Sequence, residues 1–454
     1  MIGHHNNEKK FMENALVNGG NKYFVVYGRA GNQAGEVVRS LCHNINHIYF
    51  YAANASERQQ QLMFADVVRQ HYSNKREISS YDEMFDMIIE LEDKPLVLII
   101  DEAQNILKKD DTFIGILASF LARVPSEQLT QVYLCSSSIS WVESSSEEIF
   151  NKTKNYYGER FKVEELDFVE LVRLFPKRSM KECIAMYGIT GGVPDYLPYW
   201  SPSLSIKENI IRQILSPRGG LYNEAENILR SELRETAVYE TILANIAAGN
   251  TKLNNLYMET GFSRAKISVY IKNLAAFDVV EKVSSFETGG WENAQKGVYR
   301  IKDTFLDFWF TFVYPYQSDL HNLTPEEFYE KHIGDSLDDY LEKAFVKVAG
   351  EYLRLLDKAN ELPVNIHKEG TWIGKEGNID IILQNDIREN LVAICNWKKE
   401  FMEFSQYEAL EESLRDARIK AKYKYLFSAG NFDVRLKTMA NNDDSLRLID
   451  LSSL

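Results

Sequence analysis

From residue 23 to about 140 the chain alternates between continuous apolar runs and stretches with helical periodicity. YFVVY (23–27), IYFYA (48–52), LVLII (96–100) and the run opening QVYLCSSSIS (131–140) read as buried strands. Helical patterns lie between them, from Gly35, through MFADVVRQHY (63–72) and through SSYDEMFDMIIELED (79–93). Such alternation predicts a parallel sheet with helices on both faces, because strands buried on both sides show no polar alternation.

Residues 164–235 read as a mostly helical lid and connector, broken at GGVP, SPS and SPRGG. Residues 236–324 have a different pattern. Val238, Ile242, Leu243 and Ile246 give one apolar helix face, and Leu253, Leu256 and Tyr257 a second. After the turn Gly261–Phe262–Ser263, with Ser263 as N-cap, Ile267, Ile271 and Leu274 give a third. DVVEKVSSF and VYRIKD flank the polar loop GGWENAQKG as a β-hairpin. Three helices and a hairpin predict a winged helix-turn-helix, followed by the aromatic connector FLDFWFTFVYPY. Residues 325–454 return to α/β: a helix over Leu337–Leu355, a strand pair at IDIIL and LVAIC, an acidic helix from Gln406, then YKYLFS and LRLIDL. With 1–163 as the first domain, this gives an α/β sheet core, a lid, a winged helix and a second α/β domain.

Length adds little to this: 454 residues suit two to four domains. No apolar run approaches the roughly 20 residues that span a bilayer, and the start MIGHHNNEKK lacks a signal-peptide core. A cytoplasmic protein without a membrane partner is expected. Cys42, Cys135, Cys183 and Cys395 form no CxxC pair and read as reduced and structural. A net charge of −14 gives no global attraction to nucleic acid. DNA contact must rest on local patches: Arg264, Lys266 and Lys272, or Arg415, Arg418, Lys420, Lys422 and Lys424.

The candidate chemistry begins after the first strand. A GxxxxGK[ST] phosphate loop starting at Gly28 needs glycine at 33, lysine at 34 and a hydroxyl at 35, and the chain has Gln33, Ala34 and Gly35. In that motif backbone N–H groups cradle the phosphates, lysine reaches the β- and γ-phosphates, and the hydroxyl binds Mg2+. No lysine occurs between Lys22 and Lys75, and the nearby Arg29 and Arg39 would need a different reach. LVLIIDEAQ, by contrast, is intact: Asp101 stands where a magnesium-holding aspartate belongs, Glu102 where a glutamate orients the attacking water. Ser136–Ser138 follow the next strand, where a polar sensor residue often sits.

The order IIDEAQNIL, YLCSSSIS, YYGERF, YGITGGVPDYL, YRIKDTFLDFWFTFVYP and GTWIGKEGNIDIIL resembles the archaeal-type AAA-related ATPase family over nearly the whole chain. The resemblance implies an ATP-binding AAA+/STAND-type P-loop core, a winged helix and a C-terminal domain similar to restriction endonucleases. Gly28, Arg29, Gly31, Gly35 and Asp101 are the candidate nucleotide contacts and Glu102 the candidate catalytic glutamate; from the resemblance, Arg160 is either a γ-phosphate sensor or a structural salt-bridge residue. The family's Gly-Arg-Glu-like start is replaced by Gly3, His4 and His5, and Glu159 departs from its Gly-Arg-Arg pattern. In the tail, Asp380 falls on the metal-binding aspartate, as a vestige. Val346, Ile394 and Asn396 replace the helical glutamate and the Glu and Lys of the next strand. Lys398 and Lys399 lie two or more residues on, and a two-residue shift along a strand displaces an ammonium by roughly 6–7 Å.

Two functions stand ahead of a third, an active ATPase with a noncanonical loop in which Arg29 or Arg39 supplies the lysine's charge. One is an ATPase-family protein whose loop binds ATP and Mg2+ weakly or not at all, with affinity lowered at least about tenfold by the lost lysine. It would act as a regulator or scaffold through protein partners or its own copies. The other is a winged-helix DNA-binding regulator without nucleotide or nuclease chemistry.

Overall fold

The structure, a computed structural model, describes residues 6–110, 112–144, 146–233, 235–286, 297–375 and 377–454. Gly3, His4, His5 and most of the GGWENAQKG loop lie outside the described residues. The chain divides into two compact units. One comprises Met1–Glu165, Val193–Pro198 and Ile228–Arg234, the other Leu166–Gly192, Tyr199–Asn227 and Glu235–Leu454.

The first unit is built on β1 (Lys22–Tyr27), β2 (His47–Tyr51), β3 (Leu96–Asp101), β4 (Thr130–Ser136) and β5 (Tyr157–Lys162). They form one sheet in the order β2-β3-β4-β1-β5, parallel at every pairing. The expected parallel α/β sheet is therefore present. β5, YGERFK, has no buried residue and no apolar run, which is why its sequence does not announce a strand. One face of the sheet buries Phe24, Val26, Val97, Ile99 and Tyr133 against Val37, Val38 and Met12. Over β2, Phe50 stacks on Phe64 at 4.3 Å, and the helices beside it are joined by Phe85 on Phe120 at 4.5 Å. Ser56 and Ser80 cap the helices Glu57–His71 and Tyr81–Leu91 by accepting from Gln59 and Glu83 N–H.

This order decides where chemistry can gather. β4 lies between the loop strand β1 and the acid strand β3, so the residues after Tyr27, Asp101 and Ser136 emerge side by side at one sheet edge. In an open parallel sheet that carboxyl edge is where ligands bind.

In the second unit, helices Ala237–Ala247, Leu253–Thr260 and Arg264–Ala276 precede the antiparallel pair β6 (Val280–Val283) and β7 (Val298–Ile301). Gly261 takes φ +69°, the left-handed turn that glycine allows, and Ser263 accepts from Lys266 N–H as N-cap. The helix Thr304–Phe312 buries Phe305, Phe308, Trp309, Phe310 and Phe312. The C-terminal mixed sheet uses β8 (Lys368–Ile373), β9 (Asn378–Gln384), β10 (Asn390–Asn396), β12 (Ala421–Ser428) and β14 (Leu446–Asp450) in the order β14-β12-β10-β9-β8. A separate two-residue pair joins β11 (Phe401–Met402) to β13 (Asn431–Phe432). The helix Leu337–Lys358 turns Leu341, Phe345, Val348 and Leu353 inward. All four cysteines are free and buried.

Candidate functional site

The loop after β1 keeps the phosphate-loop turn with different side chains. Gly28 N–H donates to Ser136 O at 3.1 Å, and a Cβ there would meet Val163 O at 2.7 Å, so glycine is required. Gly31 has φ +96° and Gln33 φ +56°. Gln33 thus takes a left-handed conformation that glycine would adopt without steric cost. Its amide donates to Asp195, whose own N–H donates to Gly31 O at 3.2 Å. Asn32 is buried and donates from Nδ2 to Val163 O at 2.9 Å. The guanidinium of Arg29 is paired with Glu165 at 2.7 Å and reaches Tyr196 Oη at 3.4 Å. Arg39 lies 4.7 Å over the Tyr49 ring.

Asp101 is seated against the α-carbon of Gly35: any Cβ at position 35 would collide with its carboxylate. Tyr49 Oη donates to Asp101 Oδ2 at 2.6 Å and Glu102 N–H to Oδ1 at 3.0 Å. Burial and that bond push the Tyr49 phenol well up. Glu102 has φ +53° and accepts from Ser137 Oγ at 2.8 Å and Gln104 Nε2 at 2.6 Å. Burial raises its carboxyl above the usual range, the Asp101 charge adds to this, and the two hydrogen bonds oppose it. Ser138 and Ser140 donate to Glu232, which sequence reading did not single out, and Lys108 Nζ reaches Ser138 Oγ at 3.4 Å. Arg160 is exposed on β5, paired in register with Val25.

These side chains are a poor fit for a Mg2+-bound triphosphate. The nearest loop cation is held by Glu165, Asp195 adds a carboxylate beside the loop, and the space for a magnesium-binding hydroxyl at 35 is filled by Asp101. No step can be routed through such a ligand.

In the C-terminal sheet, Asp380 of β9 is half-buried and accepts from Cys395 N–H at 2.9 Å. Burial pushes its carboxyl up to about 6, and the charge of Glu342 adds to the rise. Lys398 Nζ bridges Asp339 at 2.6 Å and Glu342 at 3.2 Å. The acid facing Asp380 thus comes one helical turn before Val346, where the sequence reading placed the loss. The i, i+4 spacing of Glu342 and Val346 was the missed signal, since both share a helix face. Asn396 is structural, donating from Nδ2 to Lys399 O at 3.0 Å and Ser428 Oγ at 3.1 Å. Among the described residues no group of three or more His, Cys, Asp or Glu is placed to hold a metal.

The two basic patches also separate. At ~100° per residue Arg264 and Lys266 lie about 160° apart on their helix. Arg264 stacks over Tyr257 at 4.1 Å, Lys266 over Phe262 at 4.3 Å, and Lys272 is exposed. In the second patch Lys422 pairs with Glu389 and Lys424 with Glu411, both at 2.5 Å, and Arg415 with Glu412 at 3.9 Å.

The chain is similar to several known proteins. A family model described as archaeal and bacterial proteins of unknown function, DUF234, matches residues 309–410. An uncharacterized protein of Methanocaldococcus jannaschii is 26% identical over 429 residues, covering 92% of this chain and 90% of its own. The solved Walker-type ATPase of Pyrococcus abyssi superposes with a TM-score of 0.50 at 15% identity, covering 68% of this chain and 96% of its own. The likeness to the Pyrococcus abyssi protein is one of fold, over 68% of this chain. No helix among the described residues is long and apolar enough to cross a membrane.

Proposed function

We propose that this protein is a non-hydrolysing relative of P-loop ATPases, retained as a regulator or scaffold that acts through protein partners or its own copies. The observation that carries the proposal is the seat of Asp101: its carboxylate fills the space of a side chain at position 35 and is held there by Tyr49. The cation-poor loop supports it, since the ammonium lost at Ala34 would have faced the phosphates. Calorimetric titration with ATP and Mg2+ tests it. Wild type gives no saturable heat below about 1 mM, a Kd limit equivalent to about −4 kcal/mol. Saturation at micromolar ATP with turnover abolished by Glu102→Gln would overturn it. Gain of binding in the triple variant Gln33→Gly, Ala34→Lys, Gly35→Thr would separate a lost site from a lost fold. The second reading, a DNA-contacting winged helix, is favoured by a cation-lined cleft beside the strand pair β6–β7.

A further inference from the structure

Beyond the end of β4, consecutive residues converge on one carboxylate. Ser138 Oγ donates to Glu232 at 3.2 Å, Ser140 Oγ donates to the same oxygen, and the main-chain N–H of Ile139 between them also donates to that carboxylate. Lys108 stands behind them, its Nζ 3.4 Å from Ser138 Oγ and 5.9 Å over the Trp141 ring. Ser138 is only 6% exposed, and its own N–H donates to Ser136 Oγ at 3.2 Å, which fixes the turn. Ser137 faces a different acid, donating to Glu102 at 2.8 Å.

Glu232 arrives from far along the chain. It ends the helix Glu224–Glu232, and the segment Ile228–Arg234 belongs to the first unit between two stretches that belong to the second. Packing of this segment does not require the carboxylate, because Ile228 and Leu229 already bury it. Placing a charge there is costly. Burial raises the Glu232 carboxyl above its usual range, while the hydroxyls of Ser140 and Ser138, the charge of Lys108 and Ile139 N–H oppose the rise. A half-buried carboxylate persists where donors replace its water, and this one receives two hydroxyls and a main-chain N–H beside an ammonium. The donor set therefore already holds an oxyanion, one supplied by the chain itself.

We infer that Ser138, Ser140, Ile139 N–H and Lys108 form a receptor for a small oxyanion, phosphate or carboxylate, which the protein plugs with its own Glu232. Its donors all lie in the stretch after β4 and at Lys108, none in the loop after β1, so the receptor does not depend on ATP being bound. Glu232 acts as a tethered competitor, at an effective concentration on the order of millimolar or more. An external oxyanion enters by displacing it, and displacement releases the segment Ile228–Arg234 from the end of β4. The plug thus sets the anion concentration at which the connector lets go.

Calorimetric titration of the full chain carrying Glu232→Ala, with inorganic phosphate and separately with acetate at constant ionic strength, tests it. Removing the plug should create saturable binding of at least one anion, with wild type at least about tenfold weaker. The arm that saturates identifies the oxyanion, and saturation by both marks a receptor for the shared chemistry. The variant Ser138→Ala/Ser140→Ala/Glu232→Ala should lose at least about tenfold of that affinity, since two of the donors are gone. No saturable binding by Glu232→Ala, binding unchanged by the serine substitutions, or an equal response to chloride overturns the inference. If Glu232→Ala does not fold, wild type carries the test through amide hydrogen exchange. Exchange across residues 228–233 should quicken at least about threefold as phosphate or acetate displaces the plug, and not with chloride. Unchanged exchange at about 50 mM of either anion overturns it as well. The ATP titration described above is a separate measurement, so failure of the receptor and failure of the non-hydrolysing reading remain distinguishable.

Discussion

Each of the two sheets carries one acid among the candidate site residues, and the two acids are held differently. Asp101 sits at a sheet edge with a phenol and a main-chain N–H both donating to its carboxylate. Asp380 lies inside its sheet with one main-chain donor, and burial outweighs that bond and raises it to about 6. The difference lies in what replaced the missing partners. Around Asp101 a tyrosine and a bare glycine took over the space, so the carboxylate became part of the packing. Around Asp380 stands a second acid, Glu342, paired with Lys398, in a polar cluster where a charge on Asp380 is costly. A carboxylate can therefore be built into the packing, as in the loop, or left under electrostatic tension, as in the tail.

The largest effect should come from releasing that tension. Asp380 has a folded pKa of about 6 against 3.8 for the free group, so ionising it opposes folding. Its contribution to stability is intact below about pH 4 and is lost as pH rises through about 6. Asp380→Asn keeps the acceptor for Cys395 N–H without the charge. It should stabilise the protein by on the order of 3 kcal/mol at pH 8, a gain that vanishes near pH 4. Urea unfolding of wild type and variant at the two pH values measures this. If the tail instead retains a working metal site, Mn2+ at pH 8 will stabilise wild type and not the variant, and the contrast between the two acids collapses.

At the loop the effect is smaller and of unusual sign. Gly35 lies in the helix Ala34–Leu41, where replacing glycine by alanine ordinarily gains about 0.5–1 kcal/mol. Here the new Cβ meets the Asp101 carboxylate, so Gly35→Ala should cost about 1–3 kcal/mol. In an Asp101→Ala background the same change should be neutral or favourable, a coupling that a double-mutant cycle reads directly. Additive effects would show that Asp101 leaves its seat easily, and the loop would no longer differ from the tail.

Much of this architecture was legible because it is written in long-range periodicity. LVLII and YFVVY are buried on both faces, the three helices before β6 each carry buried apolar positions, and the third is capped by Ser263. β5 was not legible, because an edge strand made of Tyr157, Gly158, Glu159, Arg160 and Phe161 obeys no burial pattern. The losses at Gln33, Ala34 and Gly35 could be read directly from spacing. Their replacements could not: Tyr49, Asp195 and Glu342 are distant in sequence from the acids and loop they serve, and only the sheet order and helix phase bring them close. The three cations taken from one short stretch, Arg264, Lys266 and Lys272, failed to converge for the opposite reason. Nearness in sequence on a helix scatters side chains around its axis.

The smallest predicted effect tests whether Tyr49 is what holds Asp101. Tyr49→Phe preserves the ring under Arg39 and removes only the hydroxyl, so packing is nearly unchanged. The lost bond to a charged acceptor should cost about 1–2 kcal/mol, since Asp101 is half-buried and retains the Glu102 N–H. The stability change alone would fit any buried hydrogen bond. The discriminating readout is the cycle with Gly35→Ala: with the phenol gone, the carboxylate can swing aside, and the penalty for the added methyl should fall by about half. An unchanged penalty would mean that Asp101 is fixed by the turn into Glu102, at φ +53°, and that the seat belongs to the main chain of the strand end. Tyr49 would then be a passenger.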